Sequence, residues 1–144
     1  MPMLYVIQNG GNFVERATPA KDIIYLVCSV VHIVNLKGNY YFSDGHATDD
    51  LTAFYDKTKI NDLPKIINWD AVKAGYWGGQ ERENLNTKRK KQAEFLVSFD
   101  VPAEYIIGFG CYNKNAETKL VFRSYNITFY LLHNRTFLKQ IYTV

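Results

Sequence analysis

The apolar and polar positions of this chain fall into short segments separated by turn residues. Most of these segments carry the two-residue period of strands. Residues 3–7 form a first apolar run, predicted as a strand, and Asn9-Gly10-Gly11-Asn12 close it because Gly and Asn accept positive φ. Residues 23–31 are apolar on both faces and rich in β-branched side chains, which predicts a central strand. Tyr40-Tyr41-Phe42 predict another strand, which ends in a polar loop over 43–48.

Helical signals are confined to the middle of the chain. Asp49 and Asp50 precede Leu51, Phe54 and Tyr55 at helical spacing, and acidic residues suit the positive end of a short helix. Asn68 is placed to cap a second helix over 69–77, with Trp69, Val72 and Tyr76 as its buried stripe and Gly78-Gly79 as its stop. Residues 80–91 are polar and lack an apolar period, which predicts a surface loop of a length that is commonly functional. Strands resume over 94–99, 105–111, 119–122 and 127–132. Strands, then helices, then strands give an α+β fold with a mixed, largely antiparallel sheet and short helices.

One junction stands apart, where the basic run Lys88-Arg89-Lys90-Lys91 leads through Gln92 and Ala93 to a lone carboxylate, Glu94, at the mouth of an apolar strand. Alternation puts Ala93, Phe95, Val97 and Phe99 on a core face, and Glu94, Leu96 and Ser98 on the other. Two readings stay open on this pattern. Glu94 either pairs with a lysine at a sheet edge, which discourages edge-to-edge association, or supplies a fixed negative charge for chemistry.

Composition narrows the class. With 144 residues, 47% hydrophobic, 15% aromatic and eleven Tyr, residues 1–144 read as a single domain with a sheet-rich interior. The longest apolar stretch, 23–34, is broken by Ser29 and His32 and falls short of the roughly 20 residues of a spanning helix. Cys28 and Cys111 lie inside apolar runs without metal-ligand spacing and read as free buried thiols. The N-terminus lacks the pattern of a cleaved secretory signal, so a cytoplasmic location is expected. Net charge is only +3, but much of the positive charge is gathered at 88–91. The chain has no phosphate loop, dinucleotide fingerprint, zinc spacing or Gly-x-Ser-x-Gly elbow. Of the histidines, His32 is expected in the core and His133 at the end of a late strand. His46, in a Gly-containing loop, suits either ligand contact or a structural role.

Five ordered motifs then carry a resemblance. Pro2-Met3-Leu4-Tyr5, Phe42-Ser43-Asp44-Gly45-His46-Ala47, Asn68-Trp69-Asp70-Ala71-Val72, Tyr76-Trp77, and the segment Lys88 through Val97 together resemble the DarT-type DNA ADP-ribosyltransferase toxins. The resemblance runs through nearly the whole chain. It implies an ADP-ribosyltransferase-like fold and transfer of ADP-ribose from NAD, as co-substrate and without a metal, to a base of single-stranded DNA, commonly thymine. It also implies a toxin–antitoxin setting with a DarG-like macrodomain partner, and a monomer.

By motif the catalytic glutamate corresponds to Glu94, and the target-recognition loop to about 78–91. Tyr5 and His46 are implied in binding NAD or the substrate, and Lys88, Arg89, Lys90 and Lys91 in binding DNA. One glutamate can suffice, because nicotinamide leaves NAD as a neutral molecule from a cationic centre and needs no acid to protonate it. Family members carry further chain before the Pro-Met-Leu-Tyr motif, including an NAD-binding histidine strand and an arginine, so an N-terminally short member is expected. The alternative expectation is an inactive remnant that binds single-stranded nucleic acid or an antitoxin.

Overall fold

The structure is a computed structural model that describes residues 2–10, 14–79, 81–121 and 128–131. Its elements in chain order are α1 (Pro2–Asn9), β1 (Ile24–Cys28), α2 (Val30–Ile33), β2 (Tyr40–Ser43), β3 (Phe54–Asp56), α3 (Leu63–Ile66), α4 (Trp69–Lys73), α5 (Arg82–Lys91), β4 (Phe95–Val97), β5 (Ile106–Cys111), α6 (Lys114–Val121) and β6 (Thr128–Leu131). The fold is α+β with mixed pairing, as the sequence predicts, and the chain divides into two compact units.

The first unit comprises Met1–Ile33 and Val101–Val144. Its sheet has the order β1-β5-β6, with β1 antiparallel and β6 parallel to β5. The expected strand at 3–7 is instead helix α1. A five-residue apolar run fits either state by periodicity alone, and Pro2 suits the first turn of a helix. Gly10, at φ 72°, ends α1 by donating its N–H to the Val6 carbonyl at 2.9 Å, a left-handed cap that glycine adopts without strain.

The run at 23–31 is also shorter than expected and is not central. Strand β1 stops at Cys28, and the Ser29 carbonyl accepts the N–H groups of His32 and Ile33 to start α2. Ile24 and Leu26 are exposed on β1, which is an edge of the described sheet, and His32 is exposed rather than in the core. Residues 119–121 lie in helix α6 rather than a strand, because the Asn113 side chain caps it by accepting the Ala116 N–H at 3.0 Å. The strand predicted over 127–132 is present as β6, while Phe122, Ile127, Leu132 and His133 lie outside the described residues. Both cysteines are free, Cys111 fully buried and Cys28 half-buried, and burial raises both thiol pKa values.

The second unit, Val34–Asp100, holds an antiparallel sheet of order β3-β2-β4. Its core face is built from cross-strand aromatic stacking: Tyr40 on Phe95 and Phe42 on Tyr55, each with ring centroids 5.3 Å apart. Asn68 caps α4 as predicted, accepting the Ala71 N–H at 2.8 Å, but the helix ends at Lys73 and Tyr76 is exposed. The helix expected after Asp50 is absent. Asp49 accepts the Leu51 N–H at 3.0 Å in a side-chain turn, a conformation that competes with helix, and Phe54 enters β3.

The largest departure is α5. Residues 82–91 are helical although they carry no apolar stripe. Glu83 in the first turn and the four cations in the last complement the helix dipole, and most of its residues are tolerant helix formers. What fastens the helix to the unit is polar.

Candidate active site

Each predicted cation of α5 has its own place. Arg89 is buried at 8% exposure, and its Nη1 donates to Asp44 Oδ1 at 3.0 Å and to Thr52 Oγ1 at 3.3 Å. Lys91 is half-buried, and its Nζ donates to the carbonyls of Val72 at 2.6 Å and Ala74 at 2.8 Å, the exposed carbonyl end of α4. Burial holds the Lys91 ammonium below the usual lysine value. Lys88 is exposed and Lys90 half-buried, and no hydrogen bond from either ammonium occurs among the described residues. The run therefore splits into two cations that tie α5 down and two whose ammonium groups make no such tie among the described residues.

The same contacts explain the Ser43-Asp44-Gly45-His46 motif. Asp44 Oδ1 accepts the Ala53 N–H at 2.9 Å besides its bond from Arg89, closing the loop between β2 and β3. A Cβ on Gly45 would stand 2.6 Å from Arg89 Nη1 and 2.9 Å from Thr52 Oγ1, so only glycine fits beneath the guanidinium. The His46 N–H donates to the Arg89 carbonyl at 3.0 Å. Around the ring, Nδ1 accepts the Thr48 N–H at 3.3 Å. The Thr48 hydroxyl oxygen lies closer to the same nitrogen, at 2.8 Å, so both polar groups of Thr48 hold the ring edge at Nδ1.

Glu94 follows directly. Its N–H is accepted by Ser43 Oγ at 3.1 Å, and its carbonyl accepts the Ser43 N–H at 2.9 Å. The side chain is half-buried, and among the described residues no ion pair engages the carboxylate. An edge ion pair with the neighbouring lysines is thus not the arrangement there. Strand register puts Phe54, Ser43 and Glu94 in one cross-strand row, next to the row of Asp56, Tyr41 and Leu96. The Glu94 face therefore carries the exposed side chains of Tyr41, Phe54 and Leu96, opposite the stacked core.

A carboxylate held this way can accept hydrogen bonds, stabilise a developing positive charge or take a proton. A cleft of about 590 Å³ lies beside α5, lined by Leu51, Leu85, Arg82 and Asp49 among others, and Glu94 is not part of its lining. Tyr5 lies on α1 of the first unit and is exposed. Ser43 and Asp44 were not singled out by the sequence. The signal available was that both sit in the same motif as His46, at the end of a strand.

Known proteins resemble this chain along most of its length. A DNA ADP-ribosyl transferase of Thermus aquaticus is 29% identical over 119 residues, covering 83% of this chain and 48% of its own. This chain thus spans about half the length of the curated relatives it matches. Among solved structures, Thermus sp. 2.9 DarT in complex with NAD+ superposes with a TM-score of 0.74 at 22% identity, covering 94% of this chain and 66% of that one. The same protein in complex with ADP-ribosylated ssDNA gives 0.74 at 22% identity, over 94% and 63%. Thermosipho africanus DarTG in complex with ADP-ribose gives 0.67 at 24% identity, over 94% and 32%. These likenesses establish a shared fold. The family model described as DarT, ssDNA thymidine ADP-ribosyltransferase, matches residues 1–132, and the chain belongs to the DarT family.

Proposed function

We propose that this chain transfers ADP-ribose from NAD to a thymine base of single-stranded DNA, with Glu94 as the catalytic carboxylate. The observation that carries the reading is the placement of Glu94: backbone held at both ends by Ser43, carboxylate unpaired among the described residues, directly after a helix that offers Lys88 and Lys90. In the reaction, the bond between the ribose C1′ and the nicotinamide nitrogen breaks, and nicotinamide leaves neutral. Glu94 stabilises the oxocarbenium charge that develops on the ribose. A base nitrogen then bonds to C1′ and gives its proton to Glu94.

Lys88 and Lys90 meet the phosphates of the strand. Arg89 and Lys91 serve the same interface by setting the helix that carries them. His46 binds NAD or the nucleic acid, and Tyr5 contributes to the NAD site. Residues 1–144 act as one transferase domain, monomeric, cytoplasmic and opposed by a DarG-like macrodomain antitoxin. The family and the relatives' complexes with NAD+ and with ADP-ribosylated ssDNA support this assignment of substrates. Among the described residues no helix is long and apolar enough to cross a membrane.

The test is incubation with NAD and single-stranded oligonucleotides that differ only in containing or lacking thymine, read by mass spectrometry. A mass increase of one ADP-ribosyl group confined to the thymine-containing strand is expected. An unmodified strand overturns the reading, and modification of the thymine-free strand overturns its choice of base.

A further inference from the structure

Glu94 lies one residue before β4, where the regular ladder of backbone bonds between β2 and β4 has not yet begun. In an antiparallel hydrogen-bonded pair the two residues exchange N–H and C=O with each other. Here only half of that exchange is made by backbone: the Ser43 N–H donates to the Glu94 carbonyl, while the Glu94 N–H turns to the Ser43 hydroxyl. The hydroxyl is itself oriented. Its single proton goes to the Gly45 carbonyl at 2.6 Å, which leaves a lone pair for the Glu94 N–H. Ser43 is fully buried, at 0% exposure, so water does not compete for either bond.

The consequence is geometric. The N–H of Glu94 belongs to the peptide plane before its Cα and the carbonyl to the plane after it. One residue grips both planes, which fixes φ and ψ at Glu94 and with them the direction of the Cα–Cβ bond. We infer that Ser43 is a positioning residue for the transfer reaction: its buried hydroxyl aims the Glu94 side chain at the reacting ribose. This rests on the proposed catalytic role of Glu94 and adds the device that aims it. Ser43 touches no substrate and acts only through Glu94.

The experiment compares the unaltered protein with Ser43→Ala and Ser43→Thr. The readouts are kcat and KM for ADP-ribosyl transfer to a single-stranded oligonucleotide, Tm, and hydrogen exchange at the Glu94 amide. In Ser43→Ala the Glu94 amide should exchange faster and kcat should fall by about tenfold or more, the scale expected when a reacting group is misplaced. KM for NAD and DNA should change less than kcat, since Lys88 and Lys90 are untouched and the His46 loop keeps its bonds from Ala53 to Asp44 and from His46 to the Arg89 carbonyl. Ser43→Thr keeps the hydroxyl and should recover part of the turnover. An unchanged kcat, or unchanged protection of the Glu94 amide, in Ser43→Ala overturns the proposal alone. Should Ser43→Thr fail to fold, the exchange and kcat of Ser43→Ala decide. Absence of transfer by the unaltered protein overturns the functional reading, and the proposal with it.

Discussion

Arg89 and Asp44, 45 positions apart in sequence, form a 3.0 Å ion pair that fastens the helix before Glu94 to the loop after β2. Removing one member strands the other with its charge, and with Arg89 buried but Asp44 a quarter exposed the loss should be about 1–3 kcal/mol. Arg89→Met and Asp44→Asn should each destabilise the protein on that scale in urea unfolding. The double variant should lose clearly less than the sum. Lys88→Met, at an exposed site, should stay within about 0.5 kcal/mol, and equal losses for Lys88 and Arg89 would contradict the division of the run.

Gly45 has its role fixed by the same guanidinium. A methyl group there meets Arg89 Nη1 at 2.6 Å, Arg89 Cγ at 2.9 Å and Thr52 Oγ1 at 2.9 Å. Gly45→Ala should therefore cost about 1–3 kcal/mol by overpacking, measured by denaturant unfolding. In an Arg89→Ala background two of the three close contacts are gone and Thr52 Oγ1 remains, so the added cost of Gly45→Ala should shrink but not vanish.

A pH dependence follows from Asp56. Its Oδ1 accepts from the Thr58 hydroxyl at 2.6 Å and the Thr58 N–H at 2.9 Å, and these bonds hold the carboxyl below its usual 3.8. With the folded value depressed, the stabilisation is present above 3.8 and is lost as pH falls through the folded value. Asp56→Ala should lower Tm near neutral pH, and its gap to the unaltered protein should close in acid. A gap that stays constant down to that range would remove the carboxylate as its source.

Salt dependence separates the cations that meet a strand from those that build the site. Each phosphate contact on a single strand contributes a slope of about 0.7 in log K against log salt. Lys88→Gln with Lys90→Gln should flatten the slope for an oligonucleotide by about 1.4 in total. An unchanged slope would take both lysines out of the interface.

The sequence showed the fold class, the Asn68 cap, most strands and the junction at Glu94 because apolar alternation and turn residues mark them. It did not show α5, whose buried side is a guanidinium and an ammonium rather than an apolar stripe. Hydrophobic period is blind to a helix fastened by Arg89 and Lys91. For the same reason the four cations read as one surface patch, whereas two of them are committed to partners distant in sequence. Short apolar runs were the other weak point. Residues 3–7 and 30–33 are helical although their composition suits strands, and local cues such as the Ser29 carbonyl and the Gly10 cap decide the matter.

Glu94→Gln isolates the carboxylate proposed to perform the transfer, because the amide keeps the size of the side chain and removes its charge. With NAD labelled in the adenylate and a thymine-containing single strand, the unaltered protein should label the DNA. Glu94→Gln should leave it unlabelled while keeping Tm and the salt slope for strand binding. Equal labelling by the two proteins would rule out Glu94 as the catalytic carboxylate.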